Sequence, residues 1–257
     1  MLRSRIIPCL LVHKKGLVKT VNFKDPKYVG DPINAVKIFN EKEVDELMVL
    51  DIDASVEGRA PNFDLIKNLA IECRMPFCYA GGVKTVEHAK KIVSLGAEKV
   101  ALSSAALSNP EILKDIGNAV GFQSVVVVVD VRKKKLFGGY EIVSHNAKKS
   151  SNIKISEFLV KLNQIGIGEL VVNSVDDDGR MTGFDFKLFD FFREQTEMPM
   201  TIVGGAGTLD NIKEAIARYK TIGVSAGSLF VFKGKYRAVL INYPSFDERK
   251  ELYQLNF

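Results

Sequence analysis

Apolar runs rich in β-branched residues recur along the chain: RIIPCLLV from Arg5, ELMVLDI from Glu46, PFCYAGG from Pro76, KVALSS from Lys99, SVVVVVDV from Ser124, ELVVNSV from Glu169, MTIVGG from Met200 and IGVSAG from Ile222. Their near-continuous apolar character fits strands covered on both faces. Between most of them lie stretches with helical spacing of apolar positions, such as TVEHAKKIVSLGA and TLDNIKEAIARY. Eight strands, nearly all followed by helices, predict a closed parallel (βα)8 barrel of the α/β class. No break in composition marks a linker, so a single domain spanning residues 1–257 is expected.

The two halves resemble each other. ELMVLDIDASVEGRAPNFD from Glu46 matches ELVVNSVDDDGRMTGFD from Glu169, and MPFCYAGGVKT from Met75 matches MPMTIVGGAGT from Met198, both at an offset of 123 residues. Two matches at one offset indicate a doubled half-barrel with a pseudo-twofold axis.

Composition narrows the partners. A net charge of +5 suits anionic ligands such as phosphates. No dense Lys/Arg stripe with interleaved aromatics points to nucleic acid; the nearest run, RKKKLFGGY from Arg132, reads as an exposed hairpin. The apolar run after Arg5 is short, is followed by His13, Lys14 and Lys15, and has no small-residue cleavage site, so it is not a signal peptide. No run reaches the length of a membrane span. The three cysteines, Cys9, Cys73 and Cys78, have no metal-ligand spacing, and an odd number argues against a disulfide framework. Cys9 and Cys78 sit in strand-like runs and read as buried thiols. A cytoplasmic protein without metal or cofactor is expected.

Each half also carries a candidate phosphate grip. One strand ends in Gly81-Gly82 and its counterpart in Gly204-Gly205; the next strand ends in Ser103-Ser104-Ala105 or in Ala226-Gly227-Ser228. Backbone N–H groups at such turns, with a helix N-terminus following, can hold a phosphate. Gly-Gly alone makes only a tight turn. Two copies, each followed by a small-residue turn one βα unit later, point instead to a long ligand phosphorylated at both ends. Asp178 and Gly179 of DDDGRMTGFD belong with the second grip.

Through RIIPCL, VNFKDPKYVGDP, DELMVLDIDAS, AGGVKT, VVVVVD, DDDGRMTGFD, VGGAGT and SAGSLF, the chain resembles the HisF family, the cyclase subunit of imidazole glycerol phosphate synthase. The surroundings of Glu46 and Lys99 favour this family over its phosphoribosyl isomerase sister. The resemblance implies a bisphosphate substrate across the barrel top and a HisH-like glutaminase docked beneath, sending ammonia through the barrel. It also implies two aspartates acting as general acid and base at the ends of strands 1 and 5. Asp130 is the second. Leu11 stands where the first should be, in CLLV against VVDV. A leucine transfers no protons, and a positioned acid–base group contributes about 10²–10⁴ in rate. Impaired cyclisation is therefore expected, with His13, two residues on, as the one nearby substitute.

The resemblance places a four-charge ammonia gate at Arg5, Glu46, Lys99 and Glu169, all near strand starts, and a partner-facing acid at Glu98. It makes Thr20–Pro32 a substrate lid, a loop rich in Gly, Pro and Asp, with Lys19 at its root as a phosphate clamp. The leading expectation is a HisF-like subunit that conducts ammonia for sugar amidation in surface-polysaccharide synthesis, with a separate sugar amidotransferase as acceptor. A true cyclase of histidine biosynthesis and a non-catalytic barrel that senses a phosphorylated metabolite are the alternatives.

Overall fold

The computed structural model describes residues 3–134 and 138–253. The elements run β1 (Arg5–His13), β2 (Gly16–Val21), β3 (Lys24–Gly30), α1 (Pro32–Glu41), β4 (Leu47–Asp51), α2 (Phe63–Glu72), β5 (Phe77–Ala80), α3 (Val86–Ser94) and β6 (Lys99–Leu102). They continue with α4 (Ser104–Ser108), α5 (Glu111–Val120), β7 (Val125–Lys133), β8 (Tyr140–Ser144), β9 (Lys149–Ser150), α6 (Ile155–Ile165), β10 (Glu169–Ser174) and α7 (Phe186–Arg193). The chain then forms β11 (Met200–Val203), α8 (Leu209–Tyr219), β12 (Gly223–Ala226), α9 (Ser228–Val231), β13 (Phe232–Lys233), β14 (Ala238–Val239) and α10 (Phe246–Tyr253).

Eight of these strands close a parallel barrel in the order β1, β4, β5, β6, β7, β10, β11, β12, with β12 returning to β1. All eight apolar runs form barrel strands. In that ring β1 and β7 stand diametrically opposite, four strands apart either way round. Each continues beyond the barrel into an antiparallel ribbon: β1 pairs with β2 and β2 with β3, while β7 pairs with β8 and β8 with β9. The doubled plan therefore shows in the placement of the additions as well as in the strands. The RKKKLFGGY run joins β7 to β8, which pair antiparallel, and its residues 135–137 lie outside the described residues.

The main apolar core lies between strands and helices, with Phe39, Phe77, Phe189, Phe192 and Phe230 fully buried in it. A second cluster fills the barrel interior: Ile7, Cys9, Met48, Cys78, Ala101, Val126, Val128, Val171 and Val203. Cys9 and Cys78 are buried thiols, as expected, and Cys73 is half-buried. No helix among the described residues is long and apolar enough to cross a membrane.

The expected lid loop differs in form. Thr20–Pro32 is mostly strand, because Val18 and Lys19 on β2 pair with Tyr28 and Lys27 on β3. The Gly, Pro and Asp residues that suggested a loop sit in its irregular register and at its exit into α1.

Helix α8 begins with a reciprocal cap. Thr208 Oγ1 accepts from Asn211 N at 3.3 Å, while Asn211 Oδ1 accepts from Thr208 N at 3.1 Å. Removing one partner leaves donors without their acceptor. Thr208→Ala should cost about 1 kcal/mol, read as a lower urea midpoint at unchanged slope.

Candidate active site and buried ion ring

At the N-terminal end of the barrel, four charges meet. Arg5 opens β1, Glu46 precedes β4, Lys99 opens β6 and Glu169 opens β10, so the signs alternate around the ring. Arg5 binds Glu46 and reaches Glu169 with Nη2 at 2.7 Å. Lys99 Nζ lies 2.8 Å from Glu46 and 2.7 Å from Glu169. Thr201 donates its hydroxyl to Glu169 as well. Glu46 and Glu169 are almost wholly buried. Burial alone would raise Glu169, but Arg5 and Lys99 outweigh it and hold it below the usual carboxylate range. Burial works to lower Lys99, and Glu169 and Glu46 overcome it, leaving its ammonium raised. The four groups expected to meet do meet. Glu98, beside them, is exposed, and its carboxylate accepts from Phe77 N at 2.9 Å.

Above the ring lies the apolar barrel interior, and above that the mouth. The mouth holds a cavity lined by Leu11, Leu50, Asp130, Asn173 and Asp178, with Gly81, Gly82, Ser103 and Ser104 along one side. Leu11 and Asp130 thus face one cavity from opposite strands. Asn173 Nδ2 donates to Asp130 Oδ1 at 2.9 Å, while the buried Asn173 Oδ1 has no partner among the described residues. Burial raises the Asp130 carboxyl to about 7, against the Asn173 hydrogen bond that favours its ionised form; Asp178 adds to the rise. A carboxyl so placed exchanges a proton near neutral pH.

A second, smaller cavity adjoins it, lined by Lys19, Asp178, Gly179, Gly204, Gly205, Gly227 and Ser228. Every residue expected at the second grip is there. Lys19 is not a loop residue: it lies buried on β2 with Nζ bonded to the Cys9 carbonyl. Burial pushes its ammonium below the usual value, with Cys9 and Asp178 resisting. A buried cation next to Gly227 and Ser228 suits an arriving phosphate.

The glycines owe their identity to the chain's own atoms. A Cβ on Gly205 would lie 2.1 Å from the Gly183 carbonyl, with φ at +113°. A Cβ on Gly227 would meet the Lys19 ammonium at 2.3 Å. Valine at position 205 would therefore disturb the fold before it reported on phosphate, and Ser228 is the better probe. His13, the nearby substitute for Leu11, is already engaged: its Nδ1 lies 2.8 Å from Asp53, and it does not line the cavity. His145 does line it, and the sequence reading missed it.

Residues 5–237 match the model of the family described as "Histidine biosynthesis protein". The chain is 53% identical over 256 residues to the "Putative imidazole glycerol phosphate synthase subunit hisF3" of Vibrio vulnificus, covering 99% of this chain and 98% of that one. It is 50% identical to the subunit named hisF2 of Pseudomonas aeruginosa, covering 95% and 97%. Identity to the "Imidazole glycerol phosphate synthase subunit HisF" of Exiguobacterium sibiricum is 38%, covering 84% and 86%. The chain belongs to the HisF family.

The raised Asp130 carboxyl predicts a pH-dependent stability. Its folded proton affinity exceeds the unfolded one, so its contribution is full below about pH 4 and fades as pH rises through about 7. Asp130→Asn should thus stabilise the barrel by roughly 2 kcal/mol at pH 8, allowing for water at the mouth. The gain should vanish by pH 4, measured as the difference in denaturant midpoints.

Proposed function

We propose that this HisF-family chain is the ammonia-accepting barrel of a glutamine-dependent synthase. In this reading a HisH-like glutaminase docks under the strand N-termini, with Glu98 at the contact, and a phosphorylated ligand sits across the mouth. The observation that carries the reading is one axis holding three parts in order: the charged ring, the apolar interior and the polar mouth. Neutral ammonia crosses an apolar tube far more readily than ammonium or other ions. A ring of two cations and two anions can close such a tube with every charge paired, and can open by exchanging partners rather than stranding one.

The ligand's phosphates are assigned to the two grips: Gly82 and Ser104 at one side, Gly179, Gly205, Ser228 and Lys19 at the other. Leu11 removes one of the two carboxylates with which the family closes its ring, so ordinary cyclisation is impaired. The ammonia is assigned to sugar amidation in surface-polysaccharide synthesis, through a separate sugar amidotransferase. A cyclase of histidine biosynthesis is the second reading. It is favoured by Asp130, retained in the cavity with a proton affinity near neutrality.

Two measurements test this. In the complex with its glutaminase, Lys99→Ala leaves two buried carboxylates short of a cation. It should cost on the order of 2–3 kcal/mol and lower the product formed per glutamine hydrolysed, while hydrolysis itself persists. An unchanged ratio and unchanged stability would make Lys99 an ordinary structural lysine and remove the gate. Supplied with ammonium salts and the bisphosphorylated substrate of imidazole glycerol phosphate synthase, the barrel alone should turn over slowly. Leu11→Asp should raise that rate by about tenfold or more. A wild-type rate matching the family cyclases would return the chain to histidine biosynthesis.

A further inference from the structure

The β8–β9 turn crosses the mouth. Its residues His145, Asn146 and Ala147 have φ of +53°, +56° and +59°, three successive left-handed residues with no glycine among them. Such backbone is costly and persists where the surroundings enforce it. Here Asn146 Nδ2 donates to the Ile52 carbonyl at 3.1 Å, at the end of β4. Ile52 N in turn donates to the Val12 carbonyl at 3.1 Å, next to Leu11 on β1. The turn leaves the barrel from the Asp130 side and is anchored on the Leu11 side. His145 therefore sits in the wall of the cavity that Leu11 and Asp130 share. Its Nδ1 lies 3.0 Å from Ser144 Oγ, which fixes the ring and leaves Nε2 without a partner among the described residues.

We propose that His145 is the second proton-transfer group of this cavity, working with Asp130 on a phosphorylated ammonia acceptor from the side where Leu11 can do nothing. The proposal rests on the second reading above, in which ammonia reaches such an acceptor at this mouth rather than a separate sugar amidotransferase. When ammonia adds, its lone pair forms the new bond to carbon, and the electron pair of the carbon–heteroatom double bond moves to the heteroatom. The heteroatom takes a proton from the imidazolium, and the nitrogen gives one to the Asp130 carboxylate. No oxidant or reductant is needed, and water restores both groups. The free Asn173 Oδ1 beside Asp130 can accept a hydrogen bond from the entering nitrogen or the ligand. An imidazole can both donate and accept a proton, which the addition needs on this side.

The test is a double-mutant cycle on the isolated barrel, with ammonium salts and the bisphosphorylated substrate of imidazole glycerol phosphate synthase. His145→Gln should lower kcat at least tenfold, with little change in KM, when Leu11 is present. In the Leu11→Asp background, where a carboxylate serves that side again, the same change should cost less than about threefold. His145→Asn, which tolerates left-handed backbone, should behave alike; this guards against an effect of strain. Equal losses in both backgrounds, no loss, or no turnover by the wild-type barrel would overturn the proposal. Ammonium salts bypass the tube, so this outcome is independent of the Lys99→Ala coupling result, and either reading can fail alone.

Discussion

Two glutamates, an arginine and a lysine neutralise one another across the floor of the barrel, and the rest of the arrangement depends on that balance. Each carboxylate bridges both cations. Removing any one charge leaves the other three unbalanced around two carboxylates that are almost wholly buried. Such a ring is an expensive way to fill the bottom of a barrel. Apolar side chains would close it at least as stably, since replacing buried ion pairs by well-packed apolar groups is often neutral or stabilising. The interior directly above is filled that way, by valines, methionine and cysteines. Apolar packing one layer up and four paired charges below is the contrast that supports the proposed gate.

The mouth shows the opposite relation to charge. Among the described residues Asp130 has one amide donor and no cation bonded to it, so burial raises its proton affinity instead of being offset. The floor holds its charges in fixed states, and the mouth leaves one ready to change. Lys19, lowered by the same burial, lies in the adjoining cavity with its ammonium on a backbone carbonyl. Among the described residues neither group has an opposite charge in bonding contact; on the proposed reading a phosphate would supply one to Lys19, and the nitrogen that becomes cationic as ammonia adds would supply one to Asp130.

The four floor charges were marked by the family resemblance, since a charge near a strand start, taken alone, reads as solvated. The strands were legible in the sequence because they follow local rules: apolar β-branched runs became strands. Both Gly-Gly turns and their serines were found in the same way, although the close contacts of Gly205 and Gly227 are with the chain's own carbonyl and ammonium. The ribbon was not legible as strand, since its Gly, Pro and Asp residues signal a loop and only pairing with β1 draws it into the sheet. For that reason Lys19 read as a clamp at the root of a loop, not as a buried strand residue. His145 was invisible for another: in SHNAKK it resembles any polar turn. Its place over the mouth comes from a hydrogen bond to a carbonyl 94 residues earlier in the chain.

On the proposed reading, the doubled plan lets the mouth hold two proton-transfer groups although Leu11 is not one of them. A half-barrel repeat puts a ribbon after each of two opposite strands, so each ribbon reaches over the territory of the other strand's end. A side chain lost from one strand can then be replaced from the ribbon of the opposite one, with no change to the barrel between them. Substitution along the same strand was the first place to look, but His13 lies past the point where β1 still faces the cavity, and Asp53 holds it there. The β8–β9 turn has no such restriction. It starts on the Asp130 side, is tied to β4 on the Leu11 side, and carries the one imidazole that lines the cavity among the described residues. In a barrel built from two copies of one half, opposite strand ends are equivalent in geometry but not bound to be equivalent in chemistry.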